Sequence, residues 1–127
     1  MISAIIIDDE QHCIDRLSSL LKENHRDTII LTGTFSTIEE GLTAINKLQP
    51  QLVFLDVQIH EKTGFDLLKQ LNKIDFDIIF TTAYEQYAIK AFESFSIDYL
   101  LKPIKEDRLE QSIRKLSEFG KIPATGI

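Results

Sequence analysis

The sequence predicts a doubly wound α/β fold: a five-stranded parallel sheet of order 2-1-3-4-5 with helices on both faces. Three observations predict it. Short apolar, β-rich runs alternate five times with amphipathic helical stretches, the pattern of a parallel sheet with crossover helices. The first, third and fourth runs are apolar without alternation, as strands covered on both faces are. The second run leads into Thr32, Gly33 and Thr34, which suits an edge. With right-handed crossovers, 2-1-3-4-5 is the simplest order that puts runs one, three and four in the middle.

Each element follows from its residues. The first run is Ser3-Ala4-Ile5-Ile6-Ile7. After it Cys13, Leu17, Leu20 and Leu21 recur at helical spacing, with Lys22 and Glu23 on the other side. This stripe places Cys13 in the core, as a small hydrophobe. The second run is Thr28-Ile29-Ile30-Leu31. Ser36 then starts a helix, with Glu39 completing a capping box and Ile38, Leu42, Ile45 and Leu48 as its apolar stripe. Pro50 separates that helix from Leu52-Val53-Phe54-Leu55. Gly64 precedes a helix carrying Phe65, Leu68 and Leu71. The fourth run is Ile78-Ile79-Phe80, followed by a helix from about Glu85 to Ser94. The fifth run is Ile97 to Leu101, and a last helix carries Leu109, Ile113 and Leu116. Residues 120–127 hold turn residues without periodicity and read as a linker or end segment. That leaves 1–119 as one domain.

Composition narrows the function classes. A chain of 127 residues has room for one domain and a core that needs no staples. Apolar residues make 43% and charged residues 27%, which excludes disorder, collagen-like sequence and coiled coil. No apolar run approaches the ~20 residues of a membrane helix, and no signal peptide opens the chain. The single cysteine, Cys13, excludes an internal disulfide and suits a reducing cytosol. Lys and Arg number 14, scattered among 20 Asp and Glu, so this stretch lacks the basic cluster that grips nucleic acid.

In open α/β sheets ligands bind beyond the carboxyl ends of the strands, where strand order reverses. Strand one ends in Asp8-Asp9, strand three in Asp56, strand four in Thr81-Thr82 and strand five in Lys102-Pro103. The edge strand offers nothing comparable. Three carboxylates packed together repel, and their pKa values rise unless a cation intervenes. Hard oxygen ligands suit Mg²⁺, which takes one or two carboxylates plus phosphate. Lys102 supplies a point charge for phosphoryl oxygens, and the Thr82 hydroxyl a hydrogen bond. A carboxylate in such company acts as a nucleophile and forms an aspartyl phosphate. Phosphoryl transfer asks mostly for positioning and charge neutralisation, which this set provides.

Residues 2 to about 118 resemble a response regulator receiver domain of two-component signalling, a flavodoxin-like (βα)₅ fold. The resemblance rests on Asp8-Asp9, on Asp56, on Thr82 before Ala83 and on Lys102 before Pro103. It implies that Asp9 and Asp56 ligate Mg²⁺ directly, that Asp8 holds it mainly through water, and that the main-chain carbonyl of Gln58 completes the protein ligands. Asp56 is then the phosphoacceptor, taking its group from a phosphohistidine on a sensor histidine kinase. Thr82 and Lys102 contact the phosphate, and Tyr99 is the aromatic switch. Gln58 and Tyr84 flank the phosphoryl group and influence dephosphorylation. The face that changes is the fourth helix, fifth strand and fifth helix, where a phosphorylation-promoted homodimer is expected. Receivers of this family commonly carry a cis bond at the position of Lys102-Pro103. Many also carry Pro in the loop after the phosphoacceptor; here His60 stands in Gln58-Ile59-His60-Glu61-Lys62, and Gly64 is retained.

A narrower resemblance lies in Phe80-Thr81-Thr82-Ala83-Tyr84, in Tyr87-Ala88-Ile89-Lys90-Ala91-Phe92 and in Asp98-Tyr99-Leu100-Leu101-Lys102-Pro103-Ile104. These are similar to receivers of the LytR/AgrA type, which usually carry a C-terminal LytTR DNA-binding domain. That implies a cytoplasmic transcription regulator, with DNA contacted only through an output domain not present in this chain.

Simpler readings exist for each residue. Asp8-Asp9 suits a cap on the first helix, Thr82 with Glu85 a capping box, Asp56 a strand-ending turn, Lys102 a solvated charge, and Tyr99 a half-buried strand aromatic. His12, His25 and His60 show no metal spacing and read as surface residues. Ile89, Phe92 and Phe95 give the fourth helix apolar groups on more than one side, for core packing or dimerisation. Three other functions share parts of the pattern. A haloacid-dehalogenase-type Mg²⁺ phosphatase needs a second Asp two positions after the nucleophile, where Gln58 stands and donates no titratable proton. A nucleotide-binding flavodoxin-like module needs a phosphate-cradling loop where Asp8-Asp9-Glu10 stands. A phosphorylation-independent docking domain has no use for the full acidic, Thr and Lys set.

Overall fold

The computed structural model describes residues 1–87 and 96–121. Its sheet has five parallel strands, β1 (Ile2–Ile7), β2 (Ile29–Phe35), β3 (Leu52–Asp56), β4 (Asp77–Thr82) and β5 (Asp98–Leu101), in the order β2-β1-β3-β4-β5. This is the predicted order. The described helices are α1 (Gln11–Asn24), α2 (Ile38–Leu48), α3 (Gly64–Lys69) and a last helix, Glu106–Phe119. Of the helix expected from Glu85 to Ser94, Glu85–Tyr87 form a 3₁₀ turn. Ile89, Phe92 and Phe95 lie outside the described residues, as do residues 122–127 of the expected tail.

Side chains alternate across the sheet and divide the core in two. Ile5, Ile7, Val53, Leu55, Ile78 and Phe80 pack with Ile38, Ala44 and Ile45 of α2 and with Phe65 and Leu67 of α3. Ala4, Ile6, Leu52, Phe54, Ile79 and Leu100 face Ile14, Leu17 and Leu21 of α1 and Leu109, Ile113 and Leu116 of the last helix. Each of these Val, Leu, Ile and Phe side chains stabilises the fold by about 1.5–3 kcal/mol relative to exposure. Both faces of β1, β3 and β4 are therefore used, and the three central runs carry no polar alternation. Edge strand β2 does alternate. It holds one extra residue, because Ala4 pairs with Leu31 and Ile5 with Gly33. The bulged Thr32 donates its hydroxyl to the Ala4 carbonyl at 3.2 Å.

The structure corrects several local expectations. The cap of α2 is Thr37, not Ser36: Thr37 Oγ1 accepts from Glu40 N at 3.0 Å, and the Glu40 carboxylate accepts from Ser36 N at 3.3 Å. Ile38, the first residue of the helix, is buried. A full capping box stands instead on α3, between Thr63 and Asp66. A two-residue ladder, Gln58-Ile59 against Lys62-Thr63, precedes it; it is too short to leave a periodicity. Cys13 is half-buried at the edge of the core. His25 is no surface residue: its side chain is 10% exposed and its Nε2 lies 2.9 Å from Glu106. At the far end of the sheet, Lys121 N donates to both oxygens of Asp77 at 3.0 Å, tying the chain after the last helix to the start of β4. Among the described residues no helix is long and apolar enough to cross a membrane.

Candidate functional site

Strand register assembles the site. Ile7 pairs with Leu55, so Asp8 follows beside Asp56. Asp56 pairs with Thr81, and Thr82 pairs with Leu101, so Thr82 and Lys102 arrive from the other side. The Lys102 amide donates to the Thr82 carbonyl at 2.8 Å, and Lys102-Pro103 is a cis peptide.

Lys102 is not a solvated charge. Its side chain is 10% exposed, and Nζ lies 2.9 Å from Asp8 Oδ2, 3.2 Å from Asp56 Oδ2 and 3.4 Å from Glu10 Oε1. Burial works against its charge, but the hydrogen bond to Asp8 and the charges of Asp56 and Asp8 outweigh that and raise its pKa. Asp56 is pushed the other way from a normal carboxylate. Burial, then the neighbouring Asp8 charge, raises it from 3.8 to about 7, with Lys102 opposing.

The other predicted residues fall at different distances from this centre. Asp8 Oδ1 accepts from Glu10 N at 2.9 Å, which turns the chain into α1. Asp9 Oδ2 accepts from His60 N at 2.8 Å, and so ties the β1 end to the loop after β3. His60 holds a left-handed φ of 57°. Pro, fixed at about −65°, does not fit that conformation. Thr82 Oγ1 accepts from Tyr84 N at 3.1 Å, not from Glu85, so the expected capping box does not form. Gln58 N donates to Asp56 Oδ1 at 3.3 Å, while its side chain donates to Tyr87 Oη at 3.2 Å. Tyr84 is exposed, and its ring stands 6.2 Å from Tyr87. Tyr99 is half-buried against the core on the α2 and α3 side. Gly64 is required by contact: a Cβ there would lie 2.5 Å from the Asp56 carbonyl oxygen.

Two participants escape the sequence reading, Glu10 and Tyr87. Glu10 directly follows the acidic pair, but it stands further from the strand end than the residues that the rim rule picks out. Asp8, Asp9, Glu10 and Asp56 each offer a carboxylate oxygen, all within 4.8 Å of one another. Lys102 is the one ammonium among the described residues that reaches them. This donor set is all hard oxygen and under-neutralised, which fits a divalent cation of the Mg²⁺ type.

A family model described as the response regulator receiver domain matches residues 4–114. The chain belongs to this family. It is 42% identical over 117 residues to an uncharacterized response regulatory protein of Vibrio cholerae, covering 91% of this chain and 48% of that protein. It is 37% identical over 123 residues to the sensory transduction protein LytT of Bacillus subtilis, covering 95% of this chain and 50% of LytT. The receiver domain of AraT from Geobacillus stearothermophilus superposes with a TM-score of 0.81 at 23% identity, covering 92% of this chain and 93% of that one, a likeness of fold. The chain thus spans about half the length of the curated relatives it matches. As a receiver domain it is a signalling module of two-component systems. At the position where the phosphatase alternative needs a second Asp, this chain has Gln58.

Proposed function

We propose that this receiver accepts one phosphoryl group on Asp56 from a phosphohistidine of a sensor histidine kinase, and that the modified pocket switches an output. One observation carries the reading: Asp56 is nearly buried, paired with Lys102 and crowded by Asp8 within a four-carboxylate cluster. Asp9 and Asp56 are the direct Mg²⁺ ligands, Asp8 acts mainly through water, and Gln58 adds its main-chain carbonyl. The bound ion supplies charge neutralisation between the carboxylate and the incoming phosphoryl oxygens. Lys102 already touches Asp56 Oδ2 and follows the phosphoryl oxygens as a point charge. The Thr82 hydroxyl accepts from Tyr84 N, which leaves its own proton to donate to phosphate. Tyr99 is the switch on β5, and Gln58 and Tyr84, at the exposed rim, set the rate of phosphate loss.

The output we infer is transcription, through a LytTR-type DNA-binding domain outside this chain. The likeness to LytT and the half-length match support it. Residues 1–119 are then the receiver and 120–127 the linker toward that domain. The protein works in the cytoplasm, contacts DNA only through the output domain, and dimerises when phosphorylated.

The test is intact-mass spectrometry after incubation with acetyl phosphate and Mg²⁺. The protein gains one phosphoryl group and Asp56→Asn gains none. An equal gain in both removes Asp56 from the role.

A further inference from the structure

The start of α1 carries a second group of donor atoms, which shares Glu10 with the acidic pocket but adds nitrogen and sulfur. Glu10, His12 and Cys13 each present one ligand atom, all within 4.8 Å of one another. The two Glu10 oxygens divide between the other two residues. Oε2 lies 3.7 Å from His12 Nε2, and Oε1 accepts from Cys13 Sγ at 3.9 Å. Around a tetrahedral ion with ligands at about 2.0–2.3 Å, neighbouring ligand atoms stand about 3.3–3.8 Å apart. The two Glu10 pairs stand at or just beyond that spacing. The Glu10 carboxylate is not consumed by the helix, since as N-cap of α1 it makes no side-chain cap hydrogen bond. The three side chains also line a cavity of about 290 Å³, shared with Arg16 and Lys102. That cavity gives a fourth position to water.

We propose that Glu10, His12 and Cys13 form a binding site for a borderline-soft divalent cation such as Zn²⁺, separate in chemistry from the all-oxygen Mg²⁺ cluster. Thiolate and imidazole select zinc-like ions, whereas carboxylate and water suit magnesium. Excess Mg²⁺ therefore leaves the site to the softer ion. Its position makes it regulatory. Glu10 Oε1 lies 3.4 Å from Lys102 Nζ, so a cation on Glu10 takes one of the three carboxylates away from that ammonium and places positive charge beside it. This consequence rests on the proposed phosphate-binding role of Lys102; the site itself does not.

The test uses Co²⁺ as a spectroscopic probe on the reduced full chain in excess Mg²⁺. A thiolate-to-cobalt charge-transfer band appears saturably, Zn²⁺ displaces it, and Cys13→Ser abolishes it. His12→Ala, at an exposed position, weakens Zn²⁺ binding roughly tenfold or more. Asp56→Asn keeps the band. Absence of the band in the unaltered protein, its survival in Cys13→Ser, undiminished Zn²⁺ affinity in His12→Ala or its loss in Asp56→Asn each overturns the proposal. None of these readouts depends on phosphorylation, so failure here and failure of the phosphoacceptor reading are separable.

Discussion

Asp56→Asn stabilises the metal-free protein at neutral pH, and the gain varies with pH in a direction set by the pocket. In the unfolded chain Asp56 ionises near its ordinary 3.8; in the folded protein burial and the Asp8 charge hold it protonated up to about 7. Between those values the folded state binds more protons than the unfolded one. Stability therefore falls as pH rises, and the loss is complete above the folded value. At ~1.36 kcal/mol per pKa unit the ceiling is about 4 kcal/mol. That ceiling is already net of the attraction of Lys102, which stands 3.2 Å away. The amide replaces the hydrogen bonds of the carboxyl group imperfectly, which takes part of the gain, so the net gain expected is about 1–2 kcal/mol above about pH 7. For a domain of this size that is about 4–8 °C in Tm. The assay is thermal unfolding followed by circular dichroism in EDTA, from about pH 4 to about pH 8. The two proteins nearly coincide at the acid end and separate as pH rises. Adding Mg²⁺ narrows the gap, because the ion stabilises the folded form that binds it. A variant no more stable than the parent at the alkaline end, or a gap widest in acid, refutes the reasoning.

Three further outcomes follow from contacts elsewhere. Asp98, 1% exposed, accepts from Ser112 Oγ at 2.6 Å and Tyr99 N at 2.9 Å and pairs with Arg108 and Lys115, both at 3.3 Å. Asp98→Ala therefore costs about 2–4 kcal/mol in urea unfolding at neutral pH. Burial alone would raise the Asp98 pKa, but Ser112, the Tyr99 amide and Arg108 hold it below the ordinary value. The stabilisation is thus present above the ordinary carboxylate range and fades as pH falls through the lowered value; a penalty that grows in acid contradicts this. Gly64→Ala costs about 1–3 kcal/mol because its Cβ meets the Asp56 carbonyl oxygen at 2.5 Å, and Gly41→Ala costs less because its Cβ meets the movable Ile7 Cδ1 at 2.6 Å. Urea midpoints in the reverse order count against it. A beryllofluoride mimic of the phosphoryl group converts the protein to a dimer in sedimentation velocity, and an unchanged profile with and without the mimic dismisses the proposed dimerisation.

The sheet was legible because its central strands are buried on both faces, and a strand covered on both sides is what a short apolar run without alternation most often becomes. Strand ends were legible for the same reason: Asp8, Asp56, Thr82 and Lys102 interrupt apolar runs at the rim where ligands bind. What sequence did not reveal is mostly a matter of one residue or one angle. Ser36 and Thr37 are both competent caps, and the sequence alone does not decide between them. The φ of 57° at His60 leaves no trace in composition. Lys102 is placed at the rim by the sequence, but its contact with Glu10, 3.4 Å away, is not. Cys13 lies on the apolar stripe of α1 yet at its margin, and periodicity does not separate margin from centre. His25 reads as a surface residue because its partner, Glu106, is 81 positions away.

The contacts of β5 bear on how a change in the pocket reaches the surface. Its first residue, Asp98, is held by Ser112, Arg108 and Lys115 of the last helix, and Arg108 also donates to the Tyr99 carbonyl at 2.9 Å. Just beyond its end, the Lys102 amide is bonded to Thr82. The strand backbone is thus pinned on both sides of Tyr99. A rigid shift of β5 would take the buried Asp98 carboxylate from its half-exposed cations at one end and break a ladder hydrogen bond at the other, at several kcal/mol together. Rotation of the Tyr99 ring, with movement of the Thr82 side chain, breaks neither. On the proposed phosphoacceptor reading the signal therefore travels through side-chain rearrangement on a fixed strand. Arg108→Ala, which loosens the Asp98 end, then lowers stability while leaving acetyl-phosphate uptake by Asp56 intact. Loss of uptake in a folded Arg108→Ala protein would mean that the backbone of β5 moves with the pocket.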